Sequence, residues 1–365
     1  MQPKYQLLQE WLKERIISGE YRENGQIPTE AELAEQFQYS RQTIRQAIRA
    51  LENEGLVRRI RGRGTFVCRY QNERIAARTP GAGRIGVLTT YLDDYIFPGI
   101  INGIERVLTE NGELLTLGLT HNKTQQEAAA LRRLLDSGIN GLIIEGTKSA
   151  LSTPNKPIIQ TFRDAGIPIV FINGFYDGGS DSYVVMDDVR SGEMVTQLLL
   201  DNGHRNIGGI FKSDDIQGIK RYQGMIRGMQ NNGLNISDDG ILWYTTEDIE
   251  YFFGGSMDEM VLNRLKDMSA VICYNDEIAV KLISMLNRAG MSVPKDISVV
   301  GFDNSPFAAL PLYDLTTVTY PAQQIGETAA KVLLKSLEDP SYREYIKIEP
   351  ELILRKSVMP KETQL

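Results

Sequence analysis

Arg41, Arg45 and Arg49 follow one another at four-residue intervals in SRQTIRQAIRALENEG, segment 40–55, within a 365-residue chain of net charge −7. On a helix, four-residue steps drift by only ~40°, so three guanidiniums would form one slowly winding ridge. Such a ridge suits a polyanion. Arginine can pair with guanine O6 and N7, and glutamine can do the same for adenine. Arg41, Gln42, Thr43, Arg45 and Gln46 cluster at the N-terminal end, where a helix in the major groove meets base edges, while Arg49 lies further back and suits a phosphate. The alternative is a solvated helix whose arginines pair with Glu52 and Glu54.

A second set of chemistry-bearing residues lies downstream. The stretches TYLDDYIFP, IIEG, FING, MDD, IFKSDD, CYND and GFDN each close a β-like run. They combine acids, amides and aromatics, a lining that can bind hydroxyls in pairs and cover the apolar face of a neutral polyol. The same residue types also cap helices. Asp187, Asp188, Asp214 and Asp215 fit that role best, and Asp276 and Asp303 fit either. Paired carboxylates could do acid–base chemistry on sugars. These stand at different strand ends, however, with no nucleophile–base pair marked out, so no enzyme is expected.

Cys68 and Cys273 are the only cysteines, and His121 and His204 the only histidines. A disulfide framework, a cysteine zinc site and a dense histidine metal site are thereby excluded, and no cofactor or metal is expected. Both histidines read as solvated: His121 opens the polar HNKTQQE, and His204 lies in the turn DNGHRN. Charged residues interrupt the N-terminal 16 residues, as no signal peptide allows, so a cytoplasmic protein is expected, and no apolar run is long enough for a membrane span.

Charge is unevenly placed. Residues 1–78 hold 14 Lys/Arg against 10 Asp/Glu, and the remainder holds 26 against 37. A small basic head on a large acidic body points to a polyanion as partner of the head alone.

The elements that must position these residues follow from periodicity. Leu8, Trp11, Leu12 and Ile16 mark a first helix. TEAELAEQF opens with Thr29 and Glu32 at capping-box spacing, and the turn QYS leads into the arginine helix, with Ser40 as N-cap and Gly55 as C′ residue. LVRRIRGRGTFV reads as a hairpin over 56–60 and 65–68 whose basic turn alternates Arg61 and Arg63 with Gly62 and Gly64. Segment 68–83, CRYQNERIAARTPGAG, has no apolar period and reads as a tether. It contains GAGRIG, a literal G-x-G-x-x-G, but that run enters a strand rather than a helix and so is no dinucleotide site. From Arg84 onward strands near 85–90, 114–117, 141–145, 167–172, 184–186, 207–211, 241–244, 270–274 and 299–302 alternate with helices over 97–111, 124–137, 191–202, 216–232, 251–266 and 277–289. This is a parallel α/β pattern with too many strands for one compact sheet, hence two lobes.

IPTEAELAEQFQYSRQTIRQAIRALENEGLVRRIRGRGTFV resembles the winged helix-turn-helix of the GntR family of bacterial repressors. That resemblance implies DNA contacts at Glu30, Arg41, Thr43, Arg45 and Gly64. The family usually has glycine where this chain has Gln38, which in a left-handed turn costs ~1 kcal/mol. Residues 84–357 are similar to the effector domain of the lactose/galactose repressor family and to periplasmic sugar-binding proteins, through RIGVLTT, FPGIINGIE, NGLIIEG, DNGHRNIGGIF, KRYQGMIRGM, CYNDEIA, VPKDISVVGFDN and LTTVTYPAQQIGE. This second resemblance implies effector contacts at Phe97, Asn173, Arg221, Asn275, Asp276 and Asp303. Tyr95 and Glu145 join them by strand-end placement. The hinge helix usual in that family is missing. The pairing of this head with this body resembles the arabinose-responsive repressors, which implies L-arabinose as effector. The residues themselves specify a small polyol.

The expected architecture is therefore an α+β winged-helix head over 1–70, a tether over 71–83 and a two-lobed α/β periplasmic-binding-protein-like body with parallel sheets over 84–365. Its lobes would divide near 84–186 with 318–340, and 187–317 with 341–357. The expected function is a homodimeric repressor that reads a palindromic operator in double-stranded DNA and is released by sugar. The alternative is a regulator whose purine or phosphosugar corepressor tightens DNA binding.

Overall fold

The computed structural model describes residues 3–17, 20–22, 25–53, 56–60, 63–67, 83–176, 179–235 and 237–360. The chain divides into two compact units, Met1–Thr79 and Pro80–Leu365. Gly55, Arg61, Gly62, Cys68 and nearly all of the expected tether lie outside the described residues.

In the first unit, α1 (Lys4–Ile17), α2 (Glu30–Phe37) and α3 (Arg41–Asn53) precede the hairpin β1 (Val57–Ile60) and β2 (Gly64–Val67). The capping box forms as its spacing predicts. The Thr29 N–H donates to Glu32 Oε2 at 2.7 Å, and the Glu32 N–H donates to Thr29 Oγ1 at 3.3 Å. Gln38 does adopt the left-handed region, at φ 53°, and its amide donates to Glu35 O at 2.8 Å. That bond satisfies a helix-end carbonyl, offsetting part of the strain. Ser40 Oγ then accepts the Thr43 N–H at 3.2 Å and starts α3. Leu8, Leu12, Leu33, Ile44, Ile48 and Leu51 close one core beneath the three helices. The hairpin also pairs with the segment before α2, where the Ile27 N–H donates to Thr65 O at 3.0 Å.

The second unit holds two six-stranded sheets. The first has the order β13-β7-β6-β5-β3-β4, all parallel, from β3 (Arg84–Thr89), β4 (Leu114–Leu119), β5 (Gly141–Glu145), β6 (Ile169–Ile172), β7 (Ser182–Met186) and β13 (Tyr345–Ile348). Helices α4 (Phe97–Glu110), α5 (Thr124–Ser137), α6 (Lys156–Asp164) and α12 (Ala322–Glu338) belong to this lobe. Successive residues of β5 serve opposite faces: Ile143 joins the core under α4 and α12, Leu142 and Ile144 the core under α5 and α6, as a sheet covered on both sides requires.

The second sheet has the order β14-β12-β11-β10-β8-β9, from β8 (Ile207–Lys212), β9 (Ile241–Tyr244), β10 (Ala270–Cys273), β11 (Ser298–Asp303), β12 (Thr316–Thr319) and β14 (Leu352–Ile353). Only β14 runs antiparallel. Its helices are α7 (Asp188–Asp201), α8 (Ile216–Asn231), α9 (Ile249–Phe253), α10 (Asp258–Leu265) and α11 (Asp276–Arg288). The chain passes between the lobes three times, after β7, after β12 and after β13.

Three expectations need correction. Segment 341–357 does not belong wholly to the second lobe, because β13 pairs with β7 of the first sheet and only β14 joins the second. The expected helix 251–266 is two helices, broken at Gly254 and Gly255, the latter at φ +98°, outside helical space. His204 departs from its solvated reading as well: it is buried, with Nδ1 3.0 Å from Ser269 Oγ and Nε2 3.1 Å from Met359 O. The turn that carries it packs against the C-terminal segment.

Helices α7 and α8 meet backbone to backbone. A Cβ on Gly192 would lie 2.2 Å from Arg221 O, and one on Gly224 2.2 Å from Val189 O. Glycine at both places lets α8 approach closely enough to set Arg221 against Asp188.

Candidate functional site

In the head, the arginine ridge stands on the solvent side of α3. Arg41, Gln42, Arg45, Gln46 and Arg49 are exposed and Thr43 is half-buried, opposite the buried Ile44, Ala47 and Ile48. Glu30 organises this face from the first turn of α2. Its Oε2 accepts Arg45 Nε at 2.8 Å, and its Oε1 lies 3.5 Å from Arg59 Nη2 of β1. The carboxylate thus ties α3 to β1 through its Nε contact with Arg45 and leaves both Nη groups of that arginine for a ligand. Arg63 is exposed at the hairpin turn, and Gly64 has φ +120°, a conformation that favours glycine. Arg61 lies outside the described residues.

In the body, the strand ends converge on a cavity of about 570 Å³, within the range of small-molecule sites. Tyr95, Phe97, Glu145 and Asn173 reach it from the first lobe, and Arg221, Asn275 and Asp303 from the second. Asp276 is the exception. It is fully buried and spends its carboxylate within its own lobe, accepting Thr317 Oγ1–H and the Ser305 N–H, each at 2.6 Å. As the first residue of α11 it points inward, toward β11 and β12.

Arg221 is the charge centre of the site. It is 3% exposed. Its Nε donates to Asp188 Oδ1 at 2.9 Å, Nη1 donates to Tyr274 O, and Nη2 lies 3.5 Å from Asp303 Oδ1. Its plane also covers the Phe302 ring at 4.5 Å. Burial disfavours the guanidinium charge, but Asp188 and Asp303 raise its pKa above the ordinary value. Burial pushes Asp188 up to about 6 against the pull of Arg221, so the pair stays ionised at neutral pH. Asp303 holds φ 104°, a strained conformation for a non-glycine residue. Its Oδ2 accepts the Tyr95 hydroxyl at 2.7 Å, a direct bond from lobe to lobe.

Across the cavity, Glu145 accepts the Thr90 N–H at 2.7 Å, the Thr90 hydroxyl at 2.6 Å and Asn173 Nδ2 at 2.8 Å. Burial nevertheless lifts its pKa to about 7. Asn173, at φ 62°, takes the Tyr320 hydroxyl on its other end. Asn275 caps α11, its Oδ1 accepting the Ile278 N–H at 3.0 Å, which leaves its amide NH₂ available to a ligand. Phe97 and Tyr91 supply an apolar wall with rings 6.3 Å apart, and Tyr95 meets Phe307 edge-on at 6.3 Å. Burial and the neighbouring Asp303 push Asp94 up to about 6.

Several wall residues escaped the reading of the sequence. Asp215 is the cap it was taken for, accepting the Gln217 N–H at 3.2 Å, but it also accepts the Tyr274 hydroxyl at 2.7 Å and lines the cavity. Asp188 is chiefly the partner of Arg221, and Asp214 an ion-pair partner of Lys148. Asp187 alone of the four is a plain cap, on the Arg190 N–H. The signal for Asp215 was its position at the end of β8. Among the described residues no group of His, Cys, Asp and Glu could hold a metal ion, and no helix is long and apolar enough to cross a membrane.

Two family models match: bacterial regulatory proteins of the gntR family over residues 4–67, and the periplasmic binding protein-like domain over residues 196–358. The chain is 40% identical over 97% of its length to an arabinose metabolism transcriptional repressor of Geobacillus stearothermophilus, again over 97% of that protein. The chain belongs to the family of arabinose metabolism transcriptional repressors. A second member, from Halalkalibacterium halodurans, is 35% identical over 98% of this chain and 97% of its own. The body is similar to a crystal structure of the transcription regulator GntR from Chromobacterium violaceum, with TM-score 0.66, 27% identity and coverage of 75% of this chain and 98% of that one. Membership makes the chain a DNA-binding transcriptional repressor, with the gntR-type unit as its DNA-binding head and the two-lobed body as its effector domain.

Proposed function

We propose that the chain represses transcription as a cytoplasmic homodimer and that L-arabinose, bound in the cavity between the lobes, releases it from operator DNA. Two heads related by a two-fold axis would read a palindromic site. The supporting observation is the wall of the cavity. Its six carboxylates, Asp93, Asp94, Glu145, Asp215, Glu277 and Asp303, face two cations, Lys212 and Arg221. Arg221 is neutralised by Asp188 and Asp303, and Lys212 stands 3.8 Å from Asp215. A phosphosugar would meet net negative charge there, whereas a neutral polyol finds acceptors, an amide and aromatic faces. This disfavours a phosphosugar as corepressor. The names of the relatives carry the choice of arabinose among polyols.

Linkage supplies the test. If sugar weakens operator binding, operator must weaken sugar binding by the same factor, typically about 5–150-fold. Calorimetric titration of L-arabinose with and without operator duplex is expected to show that shift, and equal affinities would refute the coupling.

On the DNA side, DNA contact by Glu30, Arg41, Gln42, Thr43, Arg45, Gln46, Arg49, Arg61, Arg63 and Gly64 is part of the same proposal. Arg45→Ala should cost ~1–3 kcal/mol and relax specificity at one base pair, since Glu30 aims the guanidinium. Arg49→Ala should weaken all duplexes alike and lower the salt dependence. Fluorescence anisotropy on an operator and its single-base variants separates the two.

A further inference from the structure

Outside the cavity, a second set of contacts joins the lobes. Lys148, in the turn after β5, directs Nζ to Asp214 Oδ2 at 3.0 Å and to Glu247 Oε2 at 2.8 Å. Asn122, after β4, donates Nδ2 to Thr246 Oγ1 at 2.5 Å and approaches the same Asp214 oxygen at 3.4 Å. The Thr246 N–H also donates to Asp214 Oδ2, at 3.1 Å. Lys148 and Asn122 belong to the first lobe, and Asp214, Thr246 and Glu247 to the second. Lys148, Asn122, Asp214 and Glu247 do not line the cavity.

The first-lobe half of this cluster is held rigidly. Asn122 Oδ1 accepts the Lys148 N–H at 2.7 Å, and both residues occupy the left-handed region, at φ 53° and 46°. Buried Glu127 anchors the turn, accepting the Thr147 N–H at 3.2 Å and the Tyr176 hydroxyl at 2.6 Å. Non-glycine residues persist at such angles only where their surroundings over-determine them. The Asp214 side chain is 1% exposed and that of Lys148 20%, so this pair is screened far less than a surface ion pair. Because its members come from opposite lobes, separating the lobes returns them to water.

We propose that Lys148 is a positioning residue: with Asn122 it forms an ion-pair latch on Asp214 and Glu247 that favours closed lobes and so sets how tightly the cavity holds its effector. The proposal rests on the reading of the cavity as an effector site. A ligand that needs the closed state has its apparent affinity reduced by the fraction of molecules that are open. Breaking the latch at Lys148 or Glu247 raises that fraction without touching any group that lines the cavity, whereas Asp214 also holds the N–H of the lining residue Thr246.

The experiment uses the full chain with Lys148→Met, Asp214→Asn, the double variant, and Glu247→Gln, whose side chain is 57% exposed and whose replacement leaves folding intact. One arm needs no sugar. Hydrogen–deuterium exchange of segments 90–97 and 303–307, on the two sides of the cavity, is expected to quicken in every variant. The other arm titrates L-arabinose. Lys148→Met and Asp214→Asn each raise Kd roughly tenfold, the double variant does no worse than the larger single change, and high salt weakens the parent more than the variants. Arg163→Met, which breaks a pair with Asp181 inside the first lobe, leaves Kd unchanged. Unaltered exchange in the folded Glu247→Gln and Lys148→Met proteins overturns the latch, as do additive Kd changes. If the parent binds no arabinose, the proposed effector falls, and the exchange arm still decides the latch.

Discussion

Arg221→Met is expected to destabilise the body by about 3–5 kcal/mol and to abolish the sugar response. The guanidinium stands between Asp188 and Asp303, all three nearly without exposure. Removing it leaves two carboxylates buried without their counter-charge, and it frees Tyr274 O at the edge of the cavity. Adding Asp188→Asn should restore part of the loss, because one of the two orphaned charges is then gone. Differential scanning calorimetry of parent, single and double variants measures this directly. A single variant within about 1 kcal/mol of the parent would mean that the triad contributes little.

Asp276→Asn is expected to act in the opposite sense and only above acid pH. Burial first, and the nearby Asp303 second, raise this carboxyl from 3.8 to about 7. Between those two values the folded chain keeps a proton that the unfolded chain has lost, so stability at this site falls as pH rises and the deficit is complete above about 7. Asparagine fits the same cradle: its oxygen can accept the Ser305 N–H, and its NH₂ can donate to Thr317 Oγ1. The variant should therefore exceed the parent by about 2–4 kcal/mol at pH 8, with the gap closing toward pH 4. Urea unfolding across that range tests the sign. A gap that widens on acidification would contradict it.

The readable part of this molecule is the part encoded by local period. The face of α3, its Ser40 start and the Thr29–Glu32 box are short-range patterns, and the structure repeats them residue for residue. Strand ends were equally legible, because a parallel sheet gathers them on one edge, and seven of the eight expected wall residues do line the cavity. What stayed hidden depends on partners distant in the chain. Asp188 looked like a cap because Arg221 lies 33 positions away, and no spacing rule links them. Asp276 and Asn275 are neighbours at the start of one helix, yet only Asn275 faces the cavity, a difference of one residue's rotation about α11. The place of β13 was misjudged because parallel pairing with β7 leaves no local signature. Gly254 and Gly255 did carry the signal for the break between α9 and α10.

The three passages of the chain between lobes have a consequence for truncated products. Neither half of the body is a continuous piece of coding sequence: the first needs α12 and β13 from near the C-terminus, the second needs β14. A nonsense codon at Tyr345 would remove fewer than one residue in ten, yet it would strip the outermost strand from both sheets at once. The bared margins of β7 and β12 would then offer unpaired amides and carbonyls to other chains. Messages interrupted so late should yield inclusion bodies rather than a weakened repressor.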